Sequence, residues 1–188
     1  MIPPIDVVRV LNRAKVKFTL VGAHALGSWT RKPRTTDDVD VVVAARHIKR
    51  AVTSLTQAFP DLKPLDLPFV VRLCRGESST VVIDVMKPNQ PIIHASLSHV
   101  HRVKVGRDEY RIPSLEMALA LKFAAMINLL RPEAEKHQDA HDFLAAIRAN
   151  PEIDLEILSE LGELVYSGGG KEIVSMVTKV RAGERLVI

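Results

Sequence analysis

The stretch Leu20–Val43, LVGAHALGSWTRKPRTTDDVDVVV, decides the fold. It opens on the apolar run Phe18–Val21, closed by Gly22, which reads as a short buried strand turning tightly into a helix over residues 23–29. Arg31–Thr36 (RKPRTT) follows as a basic loop in which Pro33 stops any helix. Val39–Val43 is mostly β-branched and reads as a second strand. Asp38 and Asp40 are separated by a single residue at its start, so in an extended chain both carboxylates leave the same face. Two like charges repel, and a strand this apolar ordinarily presents hydrophobic side chains there. A divalent cation is one physical reason to keep the pair, because hard oxygen ligands suit Mg²⁺.

Working outward, Asp84 is a third acid inside an apolar run, TVVIDVM over 80–86. Should that strand lie beside 39–43, three carboxylates converge, enough to hold two metal ions about 4 Å apart for in-line phosphoryl chemistry. Upstream, Gly22 opens a helix whose first backbone N–H groups can bind phosphate, and a glycine there lets the ligand approach closely. Arg34, Lys32 and Arg31 add positive charge suited to a triphosphate. Gly27-Ser28 is a competing glycine turn. It falls inside the expected helix, so Gly22 is the better phosphate turn, with Ser28 as a second side chain able to face the phosphates.

The remaining sequence supplies the frame. Helical spacing marks 4–16 and 46–59, with a proline-punctuated loop at Pro60, Pro64 and Pro68. Residues 69–75 and 80–86 read as a hairpin, and 99–105 with 109–112 as another. After Pro113 the pattern turns wholly helical. Ser114 caps a helix to about Leu130, a second runs from Pro132 to about Ala149, and two more cover 154–166 and 171–182, linked through Gly168–Gly170. The expected fold is α/β (α+β): a short mixed sheet flanked by helices over 1–112, and a C-terminal helical subdomain over 113–188.

The chain has 188 residues, 47% hydrophobic and 26% charged, which is ordinary globular composition. A net charge of +4 excludes a histone-like polycation but leaves room for a local basic groove. The single cysteine, Cys74, excludes an internal disulfide and any multi-cysteine zinc site, and reads as a small buried hydrophobe. The opening MIPPIDVVRV lacks the basic start and apolar run of a secretory signal, and no apolar run approaches the ~18 residues of a membrane span. A soluble, cytoplasmic protein with no membrane partner is expected. Aromatic residues at 4% offer no base-stacking platform for single-stranded nucleic acid.

The order of strand, glycine turn, helix, basic loop, acidic strand and later acid resembles the nucleotidyltransferase superfamily that includes DNA polymerase β. Within it, the chain is similar to the bacterial AbiEii/AbiGii-type nucleotidyltransferases of toxin–antitoxin systems. That family's Val-Gly-Gly-x-Ala-Leu start is matched by Val21-Gly22-Ala23-His24-Ala25-Leu26, with Ala23 in place of the second glycine. Its Arg-x-Thr-x-Asp-h-Asp element, h being apolar, is matched by Arg34 to Asp40 with Thr36 at the Thr position. Pro113-Ser114-Leu115-Glu116 leads to Lys122, and Asp139 and Asp142 stand in a later helix, as often in the family. The likeness covers about residues 18–145.

The resemblance implies Mg²⁺, two ions or Mn²⁺ in their stead, on Asp38, Asp40 and Asp84. It implies an NTP, ATP or another, against Gly22, Ala23, Ser28, Arg34 and Thr36, and Lys122 at the triphosphate or leaving pyrophosphate. The acceptor it leaves open: RNA such as tRNA, a protein side chain, or a small molecule such as an aminoglycoside. A cognate toxin or antitoxin partner is implied too. Two other readings stay open, a catalytically inactive antitoxin or binding partner on the same fold, and a metal-dependent phosphohydrolase. His137 and His141, without the Glu of HExxH, read as surface histidines, as do His99 and His101. Gly168-Gly169-Gly170-Lys171 lacks the spacing of a P-loop and reads as a flexible helix–helix link.

Overall fold

The structure, a computed structural model, describes residues 2–30, 36–76 and 80–184. The elements run α1 (Pro4–Arg13), β1 (Phe18–Leu20), α2 (Gly22–Thr30), β2 (Val39–Val43), a 3-10 turn (Ala45–His47), α3 (Ile48–Ala58), β3 (Leu62–Asp66), β4 (Val70–Arg75), β5 (Thr80–Met86), α4 (Pro91–Ala95), β6 (Val100–Val105), β7 (Asp108–Pro113), α5 (Leu115–Met126), α6 (Glu133–Ala149), α7 (Leu155–Glu163) and α8 (Gly169–Arg181). This is the expected mixed α/β class with a helical C-terminal part. The chain divides into two compact units. The first takes in the described residues up to Ala25 and those from Thr36 to Pro113; the second takes in Leu26–Thr30 and the described residues from Ser114 on. The division therefore falls inside α2.

In the first unit a five-stranded sheet has the order β1-β2-β5-β4-β3, and a two-stranded ribbon joins β6 to β7. Within the larger sheet β2 and β5 pair in parallel, and β1–β2, β5–β4 and β4–β3 pair antiparallel. Val39, Val41, Val42 and Val43 are all buried, so β2 is covered on both faces, as its valine-rich sequence suits. Val7, Val8 and Leu11 of α1 and Ala51 and Leu55 of α3 are fully buried. Thr19, the buried polar residue of β1, donates to the Ser96 carbonyl just past α4 (3.0 Å), so its hydroxyl costs nothing there. Cys74 is free and buried, as expected.

Two elements depart from the sequence reading. The proline-punctuated segment holds β3, paired with β4 so that Pro64 lies opposite Leu73. β3 is an edge strand, and a missing N–H is tolerated on an edge's open side. The segment after β5 holds α4, five residues with Pro91 at its first turn, where the ring's fixed φ is already helical.

The second unit is built on α5, buried at Leu115, Met117, Ala118, Leu119, Ala120, Phe123 and Met126 and packed on α6 and α7. Ser114 caps it as expected, its Oγ accepting from the Met117 N–H (3.3 Å). α5 stops at Met126, short of the expected Leu130; Leu129 and Leu130 are fully exposed. Asn150 donates to the Trp29 carbonyl (2.7 Å), tying the end of α6 to the last turn of α2.

The triple glycine is a packing contact rather than a flexible link. Gly168 (φ +95) turns the chain, and Gly169 and Gly170 begin α8. Their backbones lie so close to α7 that a Cβ on Gly170 would overlap the Ser159 carbonyl, and one on Gly169 the Gly162 carbonyl. Glu163 accepts from the Gly168 and Gly170 N–H groups (2.9 and 3.1 Å), filling the role of the missing N-cap side chain. At a solvent-facing helical glycine, alanine gains up to about 1 kcal/mol. Gly170→Ala should instead lose about 1–3 kcal/mol from overpacking, read as a lower urea midpoint at unchanged slope; a rise in midpoint would contradict the close approach of α7 and α8.

Candidate active site

β2 and β5 lie side by side in parallel, with Asp40 directly opposite Asp84. Residues paired in register share a face, so the two carboxylates stand on neighbouring strands about 4.8 Å apart at the backbone. One strand further on, β4 places Arg72 opposite Asp84. A row Asp40–Asp84–Arg72 therefore crosses three strands at one level. The Arg72 guanidinium Nε sits 3.7 Å from Asp84 Oδ1, an ion pair beyond hydrogen-bond reach. Asp84 Oδ1 is buried and accepts no hydrogen bond.

Asp38 precedes β2, and Thr36 Oγ1 donates to its Oδ1 (2.5 Å). Asp37 is exposed, as its alternate facing implies. Burial pushes the Asp84 carboxyl up to about 6 from 3.8; Arg72 opposes this, and the negative charge of Asp38 adds to it. Asp38 thus lies close enough for its charge to be felt at Asp84.

Gly22 completes this corner. The Val21 N–H donates to the Asp40 carbonyl (2.9 Å), holding the end of β1 against β2 just before the turn. Gly22 takes φ +67, and the Asp40 carboxylate rests over its Cα so closely that any Cβ would collide with it. Glycine is required here for both conformation and space. The Asp40 carboxylate is thereby set at the N-terminal end of α2, where the helix dipole favours negative charge. Ala23 follows as the second residue of α2 and is buried, so its methyl turns into the core. Gly27 and Ser28 lie within the helix, and Ser28 is exposed.

The donor set of Asp38, Asp40 and Asp84 consists of hard carboxylate oxygens, and one of them is a buried oxygen without a hydrogen bond. That chemistry fits Mg²⁺ or Mn²⁺. Among the described residues, no three of His, Cys, Asp and Glu are gathered closely enough to form a finished metal centre. Asp38 is turned to Thr36 and Asp84 to Arg72.

Lys122 belongs to the second unit. Its Nζ donates to Asp139 Oδ1 (2.8 Å) and to Asp142 Oδ2 (2.7 Å), and its side chain is 12% exposed. Arg131 pairs with Asp139 (2.6 Å), and Gln138 donates to Asp142 (3.1 Å). Asp139 and Asp142 are buried, and Lys122 is drawn inward to them rather than snorkelling to the surface. Arg34, with Lys32 and Arg31, lies outside the described residues.

Arg72 escaped the sequence reading, which treated FVVRLCR only as an apolar strand. The available signal was the same one that singled out Asp84, a charge where a sheet prefers a hydrophobe. Which acid it faces is set by β4–β5 register and was not visible locally.

No protein-family model matches the sequence, and no curated protein matches it. Solved structures do match. A nucleotidyltransferase-like protein from Paracoccidioides brasiliensis superposes with a TM-score of 0.56 at 18% identity, covering 96% of this chain and 91% of its own. The antibiotic-resistance factor ANT(2'')-Ia superposes at 0.59 with 10% identity over 96% of both chains. The lincosamide antibiotic adenylyltransferase LnuA, solved with lincomycin bound, superposes at 0.51 with 15% identity over 74% of this chain and 92% of its own. At such identities the likeness is one of fold: this chain has the nucleotidyltransferase fold.

Proposed function

We propose that the protein transfers a nucleoside monophosphate from an NTP to an acceptor hydroxyl, releasing pyrophosphate. The observation that carries this is the register of β2 on β5. It sets Asp40 beside Asp84 next to the glycine turn that opens α2, with Asp38 near enough to raise the Asp84 carboxyl. Like charges held together at a turn suited to phosphate are costly without a cation and useful with one. The names of structural neighbours, among them a lincosamide antibiotic adenylyltransferase, lend support and make ATP the first donor to try.

Asp38, Asp40 and Asp84 would hold Mg²⁺, with Mn²⁺ as a substitute; the bound ion neutralises charge on the triphosphate and favours ionisation of the acceptor hydroxyl. The remaining roles belong to the chain. The first N–H groups of α2, at Gly22 and Ala23, receive phosphate oxygens, with Ser28 and Arg34 as further partners. Thr36 holds Asp38 through its hydroxyl hydrogen bond. Asp84, on the acceptor side, takes the hydroxyl proton as the new O–P bond forms and the bond to pyrophosphate breaks. Lys122, oriented by Asp139 and Asp142, is the proposed cation for the triphosphate or departing pyrophosphate. A toxin–antitoxin role, with a cognate partner, is the finer reading that the sequence resemblance adds. RNA, protein and small hydroxylated molecules are the acceptor classes to present. Among the described residues no helix is long and apolar enough to cross a membrane.

The deciding experiment incubates the protein with Mg²⁺ and each α-labelled NTP, offering total RNA, cell protein, an aminoglycoside and a lincosamide in turn. Label should appear on one acceptor class, with free pyrophosphate. It should fall about a thousandfold in Asp38→Asn/Asp40→Asn, as the loss of several kcal/mol of transition-state stabilisation implies. Undiminished transfer by that variant would refute the site. Absence of label with Mg-nucleotide still bound would instead favour the inactive binding-partner reading, and free phosphate the hydrolase.

A second test reads the metal-free protein. Native Asp84 keeps its proton up to about pH 6, whereas the unfolded carboxyl loses it near 3.8. Between those values the native state binds more protons, so wild-type stability should rise as pH falls from about 6 towards 4. Above about 6 the ionised, buried carboxylate burdens the fold. Asp84→Asn in chelator should therefore stabilise the protein by about 1–2 kcal/mol at pH 8, with partial exposure discounted, and abolish the rise between pH 6 and 4. Urea titrations at each pH measure both effects; identical pH profiles would contradict the desolvated Asp84.

A further inference from the structure

The first unit carries a second concave site at the other end of β1. Phe18 pairs with Val43, whereas the Val21 N–H meets the Asp40 carbonyl, so Phe18 and the acids occupy opposite ends of the β1–β2 pair. Val43 lies three residues beyond Asp40, about 10 Å along the strand. A pocket of about 410 Å³ opens there, within the size range of small-ligand sites. Its charged lining is Lys15, Lys17, Arg102, Arg111 and Glu109. Val16, Phe18 and Tyr110 supply an apolar floor, with Val16 and Phe18 buried.

The charge in this pocket is unbalanced. Glu109 is bound to Arg102 (2.9 Å), and that pair is neutral. Among the described residues, Lys15, Lys17 and Arg111 make no side-chain ion pair. The walls are fixed: Asn12 Nδ2 donates to the Glu109 carbonyl (2.8 Å), joining the end of α1 to β7, and the Lys17 N–H donates to His47 Nδ1 (2.8 Å). His47 is itself held below its ordinary value, first by lost hydration and then by the charges of Arg46 and Arg50. Lys15 adopts φ +52 just after α1, a position glycine fills at least cost, so the lysine side chain stands there in spite of its backbone.

We propose that this pocket binds a small phosphorylated molecule through its phosphomonoester group. A phosphomonoester near pH 7 carries close to two negative charges and three acceptor oxygens. Lys15 and Lys17 answer it as point charges and Arg111 as a planar two-pronged donor. The Tyr110 phenol, neutral near pH 7 and raised further from its ordinary value by burial, adds a hydroxyl to the lining. The pocket's concavity fits one compact ligand rather than a long polyanion. Binding here is independent of the transfer chemistry proposed above.

The test is an NMR titration of the ¹⁵N-labelled full chain in chelator, with AMP and glucose 6-phosphate as probes. Both should move the amides of 15–18 and 109–111 and leave those of 38–41 in place. Adenosine and glucose should do nothing. Lys17→Gln/Arg111→Gln should bind at least about tenfold more weakly, the loss of charge-assisted hydrogen bonds. Glu109→Gln frees Arg102 and should bind about threefold more tightly, a gain that misfolding cannot mimic. Equal binding of sulfate, shifts confined to 38–41, binding by a short single-stranded RNA but not by the monophosphates, or unchanged affinity in all three substitutions would each overturn the assignment.

Discussion

The arrangement depends on one lateral contact, the parallel pairing that sets Asp40 beside Asp84. Carboxylates held on neighbouring strands repel, and burial adds to the cost of ionised Asp84. The fold meets that cost in three ways at once. Arg72 is placed on the far side of Asp84, the Asp40 carboxylate rests at the N-terminal end of α2, and the Asp84 carboxyl is pushed up to about 6. On the proposed function, a divalent cation would offset the carboxylates gathered at this corner.

The parallel pairing also explains the chain's detour. Parallel neighbours cannot be joined by a tight turn. Between β2 and β5 the chain runs through α3, β3 and β4, and this excursion delivers Arg72 beside Asp84. A sheet edge was then needed, and β3 supplies it with Pro64. Lys122 shows a parallel economy in the second unit. Two buried carboxylates, Asp139 and Asp142, are matched by Lys122 and Arg131, so the cluster is neutral as a whole. Removing one member would strand a buried charge, which is far costlier than the net worth of any one pair. A lysine fixed in this way has lost most of its rotamer freedom before any phosphate arrives.

Much of this was legible in the linear sequence because it is local. β-Branching announced β2, Gly22 announced the turn, and Ser114 announced α5, each through chemistry spanning a few residues. The acids were conspicuous because they interrupt apolar strands. The missed features are non-local or ambiguous. Pro64 argues for a loop unless the segment is known to lie on an edge, which only its pairing with β4 reveals. The Gly168–Gly170 run looks flexible by composition, and only the proximity of Ser159 and Gly162 turns it into a packing surface. Asp139 and Asp142 plainly share a helix face, yet their burial follows from Lys122 on another helix. The same reason hid Arg72, since facing across strands is decided by register.

The first unit thus has electrostatic polarity along its shortest strand. At the Leu20 end lie the acids Asp38, Asp40 and Asp84. At the Phe18 end lie Lys15, Lys17 and Arg111, cations in want of an anion. Separated by about 10 Å of strand, the two charge clusters would be drawn together in a flexible chain. The β1–β2 ladder, with Phe18 on Val43 and Leu20 on Val41, holds them apart. Within the sheet, Arg72 partly offsets the charge of Asp84. On the two proposals above, the sign at each end matches its ligand, a divalent cation at the acids and a phosphate at the basic pocket.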